Sequence, residues 1–175
     1  RDRAEFTTRV LIRRPSDDGR FSGTVVVEWL NVSSGSDSAP VFGFSGPELT
    51  RAGHVWVGVS AQWAGIVATP ALVDVGASGL VALQSADPLR YGSLVHPGDA
   101  YAYDVFTQVV DSLLEDRPEP LDDLDIQRVV AVGESQSAYA LVTYVNGVQP
   151  RSERFDGFLI HSRGRGALRD GGQGP

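Results

Sequence analysis

Three short runs leave this chain little choice of fold. Thr24–Leu30 (TVVVEWL), His54–Ser60 (HVWVGVS) and Arg128–Gly133 (RVVAVG) are nearly continuous in apolar and β-branched residues. A strand with one wet face would alternate apolar and polar residues. These do not, so they read as strands buried on both faces, the pattern of a parallel sheet covered by helices. Arg154–His161 (RFDGFLIH) reads as a fourth core strand, and Phe6–Arg14 (FTTRVLIRR) as a strand ended by Pro15. Helical spacing lies between them. Ala102, Val105, Phe106, Val109, Val110 and Leu113 fall on one helical face, with Asp99 as the expected N-cap and Arg117-Pro118 as the stop. Ser135–Val145 predicts a second helix, stopped at Asn146-Gly147. Val41–Ala52 is helix-like but interrupted by Gly43, Gly46 and Pro47, and Ala61–Gly98 holds no lasting period. The alternation of strand and helix gives an α/β class with a mostly parallel sheet. The 175 residues suit one domain, 1–175, with a single core.

Charge and composition remove several function classes. The net charge is −7, and all fifteen basic residues are arginines that form no cluster beside an aromatic platform. Nucleic acid is not an expected partner, because neutralising phosphates takes clustered positive charge. There is no cysteine, so disulfides, thiol nucleophiles and thiolate-held metals are excluded. Three scattered histidines lack ligand spacing, and no metal or other cofactor is expected. No stretch is long and apolar enough to span a membrane.

The run Val129–Val145 (VVAVGESQSAYALVTYV) raises a sharper question. A core strand stops at Gly133, a serine follows, and a helix begins. Gly133-Glu134-Ser135-Gln136-Ser137 resembles the G-x-S-x-G nucleophile elbow of α/β-hydrolases, a strained strand-to-helix turn that lifts a serine hydroxyl above the sheet. Small residues two before and two after the nucleophile keep strand and helix from clashing. Gly133 fills the first place, and Ser137 stands where glycine is usual. The helix N-terminus adds backbone N–H groups and partial positive charge for a developing oxyanion. The Gln136 N–H is the expected main donor, with Asn31 or Val32 N–H as the second, although no HGGG motif is present. The simpler alternative is that Ser135 or Ser137 merely caps the helix.

A wider set of stretches carries the same resemblance: GTVVVEWLNVSSGSD, GHVWVGVSAQWAGI, DPLRYGSLVHPGDAYAYDVFTQV, VVAVGESQSAYAL and FDGFLIHSRG. Together, over roughly Gly23 to Gly164, they resemble the α/β-hydrolase domain family of bacterial proteins. The resemblance implies a three-layer α/β-hydrolase fold and a serine hydrolase acting on a small-molecule ester-like substrate. It supplies no particular substrate.

A serine hydroxyl needs a base, and the base an orienting acid. His54 begins a strand and so lies at the wrong end of the sheet. His96 precedes the serine, in a loop beside Pro97-Gly98. His161 ends the strand after the elbow, at the edge where reactive groups gather, and is read either as the candidate base or as a pocket-wall residue or supporting donor. No acid stands in the expected place: Glu153 and Asp156 come early in that strand, and Asp170 follows it. The fold is therefore expected to be incomplete at its C-terminal side, with acid and base in a missing C-terminal segment or a second polypeptide. The absence of any methionine points the same way. Trp29 and Trp56 are expected in the core and Trp63 near substrate, while Asp87 and Arg90 are expected to pair. Two rival readings stay open: a catalytically inactive hydrolase-like binding or scaffold module, and a doubly wound anion binder.

Overall fold

A computed structural model describes residues 3–67 and 81–166. Its elements, in chain order, are β1 (Val10–Arg13), β2 (Thr24–Trp29), α1 (Pro40–Arg51), β3 (Val55–Val59), α2 (Trp63–Ile66), α3 (Leu83–Ala86), α4 (Pro88–Tyr91), α5 (Ala102–Glu115), β4 (Arg128–Glu134), α6 (Gln136–Thr143), α7 (Gln149–Ser152) and β5 (Gly157–His161). The strand order is β1-β3-β2-β4-β5. β1 runs antiparallel to β3, and every other pair is parallel. Every residue of β2 and β3 is buried, as their unbroken β-branched runs require.

The two faces of the sheet are covered differently. Val25, Val27, Trp29, Val55, Val57, Val59 and Ala131 pack with Phe106 and Val110 of α5 and Leu141 of α6. Val26, Leu30, Trp56 and Val132, on the opposite face, pack with Val41 of α1. The result is three layers. From β2 the chain moves one way to β3, then returns across β2 to reach β4. The carboxyl ends of β2 and β4 therefore flank the point where the winding reverses, and ligand crevices form at such points.

Several elements depart from the sequence expectation, each for a local reason. β5 is not a core strand. Among the described residues it pairs with β4 alone, its Phe158 and Ile160 pack on the core, and Leu159 is half exposed. β1 begins at Val10 rather than Phe6, and Thr7 makes only an isolated bridge to Val95. α1 runs unbroken through Gly43, Gly46 and Pro47. Its first turn is held by Glu28 of β2, whose carboxylate accepts the N–H groups of Val41 (2.8 Å) and Phe42 (2.9 Å). The α6 helix does not stop at Asn146-Gly147. It widens into a π-turn at Tyr144–Val148 and continues as α7 until Glu153, at φ 51°. The wider turn absorbs Pro150, which has no N–H for a regular helical bond. Asp99 does not cap its own helix; its Oδ1 accepts the N–H of Trp63 at 2.7 Å and so ties α2 to the start of α5.

Candidate active site

Ser135 sits between β4 and α6 with φ 56° and ψ −115°. For a residue with a Cβ this is a strained backbone, costing on the order of 1–3 kcal/mol. Four hydrogen bonds hold the turn. The Ser135 N–H donates to the His161 carbonyl (3.1 Å), and the Ser135 carbonyl accepts from the Tyr139 N–H (3.2 Å). The Ser137 hydroxyl closes the turn from below: it accepts the Glu134 N–H (3.0 Å) and donates to the Glu134 carbonyl (2.9 Å). Gly133 is needed because a Cβ there would stand 3.0 Å from the Ser137 backbone. The strain thus has a support built around it.

The two serines divide the roles that the sequence left open. Ser137 is buried and spends its hydroxyl on the Glu134 backbone. Ser135 is exposed and makes no capping bond to its helix. Ser135 is the residue immediately before the first turn of α6, where backbone N–H groups lack intrahelical acceptors. Gln136 contributes the first of these N–H groups.

The loop after β2 lies directly beside this turn. The Asn31 N–H, one candidate second donor, is taken by the Ser38 carbonyl at 2.8 Å. The reason is a small bridge between Asn31 and Ser38 that closes the loop on itself. Asn31 instead reaches the elbow through its side chain, Nδ2 donating to the Glu134 carbonyl (2.8 Å). The Val32 N–H donates to Gln136 Oε1 at 3.3 Å.

A core strand, a strained serine, a helix N-terminus and a neighbouring loop amide make one compact constellation. Compared with protein-family models, the chain matches the model described as alpha/beta hydrolase domain over residues 1–175. The chain belongs to the alpha/beta hydrolase domain family. Comparison with curated proteins finds no match. The mostly parallel sheet and its helices are those of an α/β-hydrolase domain.

The histidines of this hydrolase domain fall in three distinct places. His54 Nδ1 pairs with the Ser22 hydroxyl (2.6 Å) at the amino end of β3, far from the elbow in the sheet. His96 is buried with both nitrogens engaged: Nδ1 accepts the Gly98 N–H, so Nε2 carries the proton and faces the Ala61 carbonyl at 3.0 Å. His161 is exposed at the end of β5, with Nδ1 2.8 Å from the Ser162 hydroxyl and 3.9 Å from Glu134 Oε1. None of the three bonds the Ser135 hydroxyl. Of the acids considered in the sequence, Asp156 accepts the Val129 N–H at the far end of β4, and Asp170 lies outside the described residues.

Sequence reasoning missed three acids. Glu134 stands beside His161 because parallel register pairs those two positions. The available signal was an acid inside the elbow motif with a histidine ending the next strand. Glu28 is fully buried, accepts Val41 N–H, Phe42 N–H and the Trp56 indole N–H (2.8 Å), and has its carboxyl pushed above the ordinary range by burial. Asp37 is buried against Ser60 and Arg9, and burial raises its carboxyl too. Both anchor the segments flanking the Asn31–Val32 loop. Trp29 and Trp56 are core residues, and Trp63 is half buried. The expected Asp87–Arg90 pairing is a backbone one: Asp87 Oδ1 accepts the Arg90 N–H (3.1 Å), while the guanidinium lies over the Tyr91 ring. Among the described residues no helix is long and apolar enough to cross a membrane.

Proposed function

We propose that this domain hydrolyses small-molecule esters through an acyl-serine intermediate on Ser135. The observation that carries the reading is the strained Ser135 backbone with its exposed, unspent hydroxyl at the start of α6. Ser135 Oγ bonds the ester carbonyl carbon as its proton passes to a base. The carbonyl oxygen becomes an oxyanion. On collapse the bond to the alcohol oxygen breaks, and the alcohol leaves with that proton. Water then attacks the acyl carbon, gives its proton to the base, and releases the acid as Ser135 is reprotonated. The Gln136 N–H stabilises the oxyanion from the helix N-terminus, and the Val32 N–H, whose bond to Gln136 Oε1 is long at 3.3 Å, exchanges that partner for the oxyanion, whereas the Asn31 N–H stays on the Ser38 carbonyl at 2.8 Å.

The base is His161, with Glu134 as the neighbouring acid, once its imidazole leaves the Ser162 hydroxyl. The alternative is a histidine from a C-terminal segment or second polypeptide seated beside β5. The competing reading, a binding module without catalysis, draws on one observation: no imidazole among the described residues bonds Ser135 Oγ.

Turnover of p-nitrophenyl acetate by the wild type, Ser135→Ala and His161→Ala tests these points. Ser135→Ala is expected to abolish turnover. His161→Ala is expected to lose about 10²–10⁴-fold if His161 is the base. Turnover unchanged in Ser135→Ala would overturn the proposal, and an inert wild type would favour the binding module.

A further inference from the structure

A chain of buried side-chain amides links the serine turn to the loop after β2. It begins at Trp29, whose indole N–H can only donate. That N–H gives to Gln62 Oε1 at 3.0 Å. The same oxygen accepts Gln136 Nε2 at 2.7 Å. Gln136 is thereby turned with its oxygen toward the loop after β2, and that oxygen accepts the Val32 N–H at 3.3 Å. A flip of either glutamine would set donor against donor. The Trp29–Gln62 and Gln62–Gln136 bonds are buried, so water cannot stand in for a partner lost there.

The loop is tied back from its own side as well. Asn31 Oδ1 accepts the Ser33 N–H (2.9 Å) and hydroxyl (2.6 Å), which leaves Nδ2 for the Glu134 carbonyl. Loop and elbow are therefore joined at both neighbours of Ser135: Glu134 through Asn31, and Gln136 through Val32. Nothing in the nucleophilic role of Ser135 itself asks for this arrangement.

We propose that the Gln136 side chain, oriented by Trp29 through Gln62, is a positioning residue that sets the Val32 N–H against the Gln136 N–H so that both meet one oxyanion. This rests on the Ser135 hydrolase reading and goes beyond it. The 3.3 Å bond is long for an amide, and a charged oxyanion is the stronger acceptor for the same N–H. Displacing a reacting group or its supports by about 1 Å costs on the order of 10²-fold in rate.

Gln136→Leu and Gln62→Leu test the chain, because both keep the Gln136 backbone N–H. Each is measured for kcat and KM on p-nitrophenyl acetate and for fluorophosphonate labelling of Ser135. The expected result is a kcat lower by about 10–100-fold with KM within about twofold, and slower labelling. Gln62→Glu keeps an acceptor for both Trp29 and Gln136, and recovers most of kcat. A purely structural role would not produce this split or this recovery. If Gln136→Leu fails to fold, Gln62→Leu, which leaves the elbow untouched, decides by the same readouts. The proposal is overturned if the wild type is labelled at Ser135 while the folded Leu variants match it in kcat and labelling rate. A wild type that resists labelling at Ser135 would instead bring down the hydrolase reading itself.

Discussion

If Ser135 is held in a strained turn for its chemistry, the chain should become more stable when the strain is removed. Glycine is the residue that relieves it, since φ 56° with ψ −115° carries no Cβ penalty there. Alanine keeps the Cβ and the strain. It removes only a hydroxyl that is exposed and makes no capping bond, so Ser135→Ala should match the wild type within about 0.5 kcal/mol. Ser135→Gly should recover the backbone cost of about 1–3 kcal/mol. Against that stands the extra freedom of glycine in the unfolded chain, about 0.5–1 kcal/mol. The net expectation is a Gly variant about 1 kcal/mol more stable than the Ala variant. For a chain of 175 residues that is about 2–4 °C in Tm. Urea denaturation of the two variants, fitted with a common slope, measures the difference directly. A Gly variant no more stable than the Ala variant would refute the claim that the turn stores strain.

Glu28→Ala strands three buried or half-buried donors, at Val41, Phe42 and Trp56, and is expected to cost about 3–5 kcal/mol in urea denaturation. Glu28→Gln keeps an acceptor and should cost about 1–2 kcal/mol. Burial raises the folded Glu28 carboxyl above its ordinary 4.5, so the stability linked to it is full below that value and is lost as pH rises through the folded value. The advantage of wild type over Glu28→Gln should therefore shrink as pH climbs from 4.5; an advantage that grows instead would contradict the assignment. Gly133→Ala sets a Cβ 3.0 Å from the Ser137 backbone and Leu141 Cδ1 and should destabilise by about 1–3 kcal/mol, with a larger proportional loss of activity because the elbow must shift. Wild-type stability and activity in that variant would show that the strand and helix have room to spare.

What could be read from sequence followed how local the cause was. β2 and β3 announced themselves because β-branched residues without alternation suit a doubly covered strand. The elbow was legible because glycine, serine and a following helix are contiguous. Elements decided by distant partners were not. α1 passes Pro47 with its N-terminus held by Glu28, twelve residues upstream of the helix start. Asp99 serves a helix that begins at Trp63. The sequence shows an acid in the elbow and a histidine ending the next strand, but their pairing is set by strand register, which only the folded sheet displays. At the site, Ser135 and Gln136 could be proposed from their neighbours in the chain. The loss of the Asn31 N–H to Ser38, and the polarity that Trp29 imposes through Gln62 on Gln136, arise only once separate segments meet.

The central claim is that Ser135 is a reactive nucleophile, and covalent labelling tests it most directly. The protein would be treated with a fluorophosphonate, weighed intact, digested and mapped. The account predicts a single adduct on the peptide carrying Ser135, absent in Ser135→Ala. No adduct, or an adduct that persists in Ser135→Ala, would contradict it.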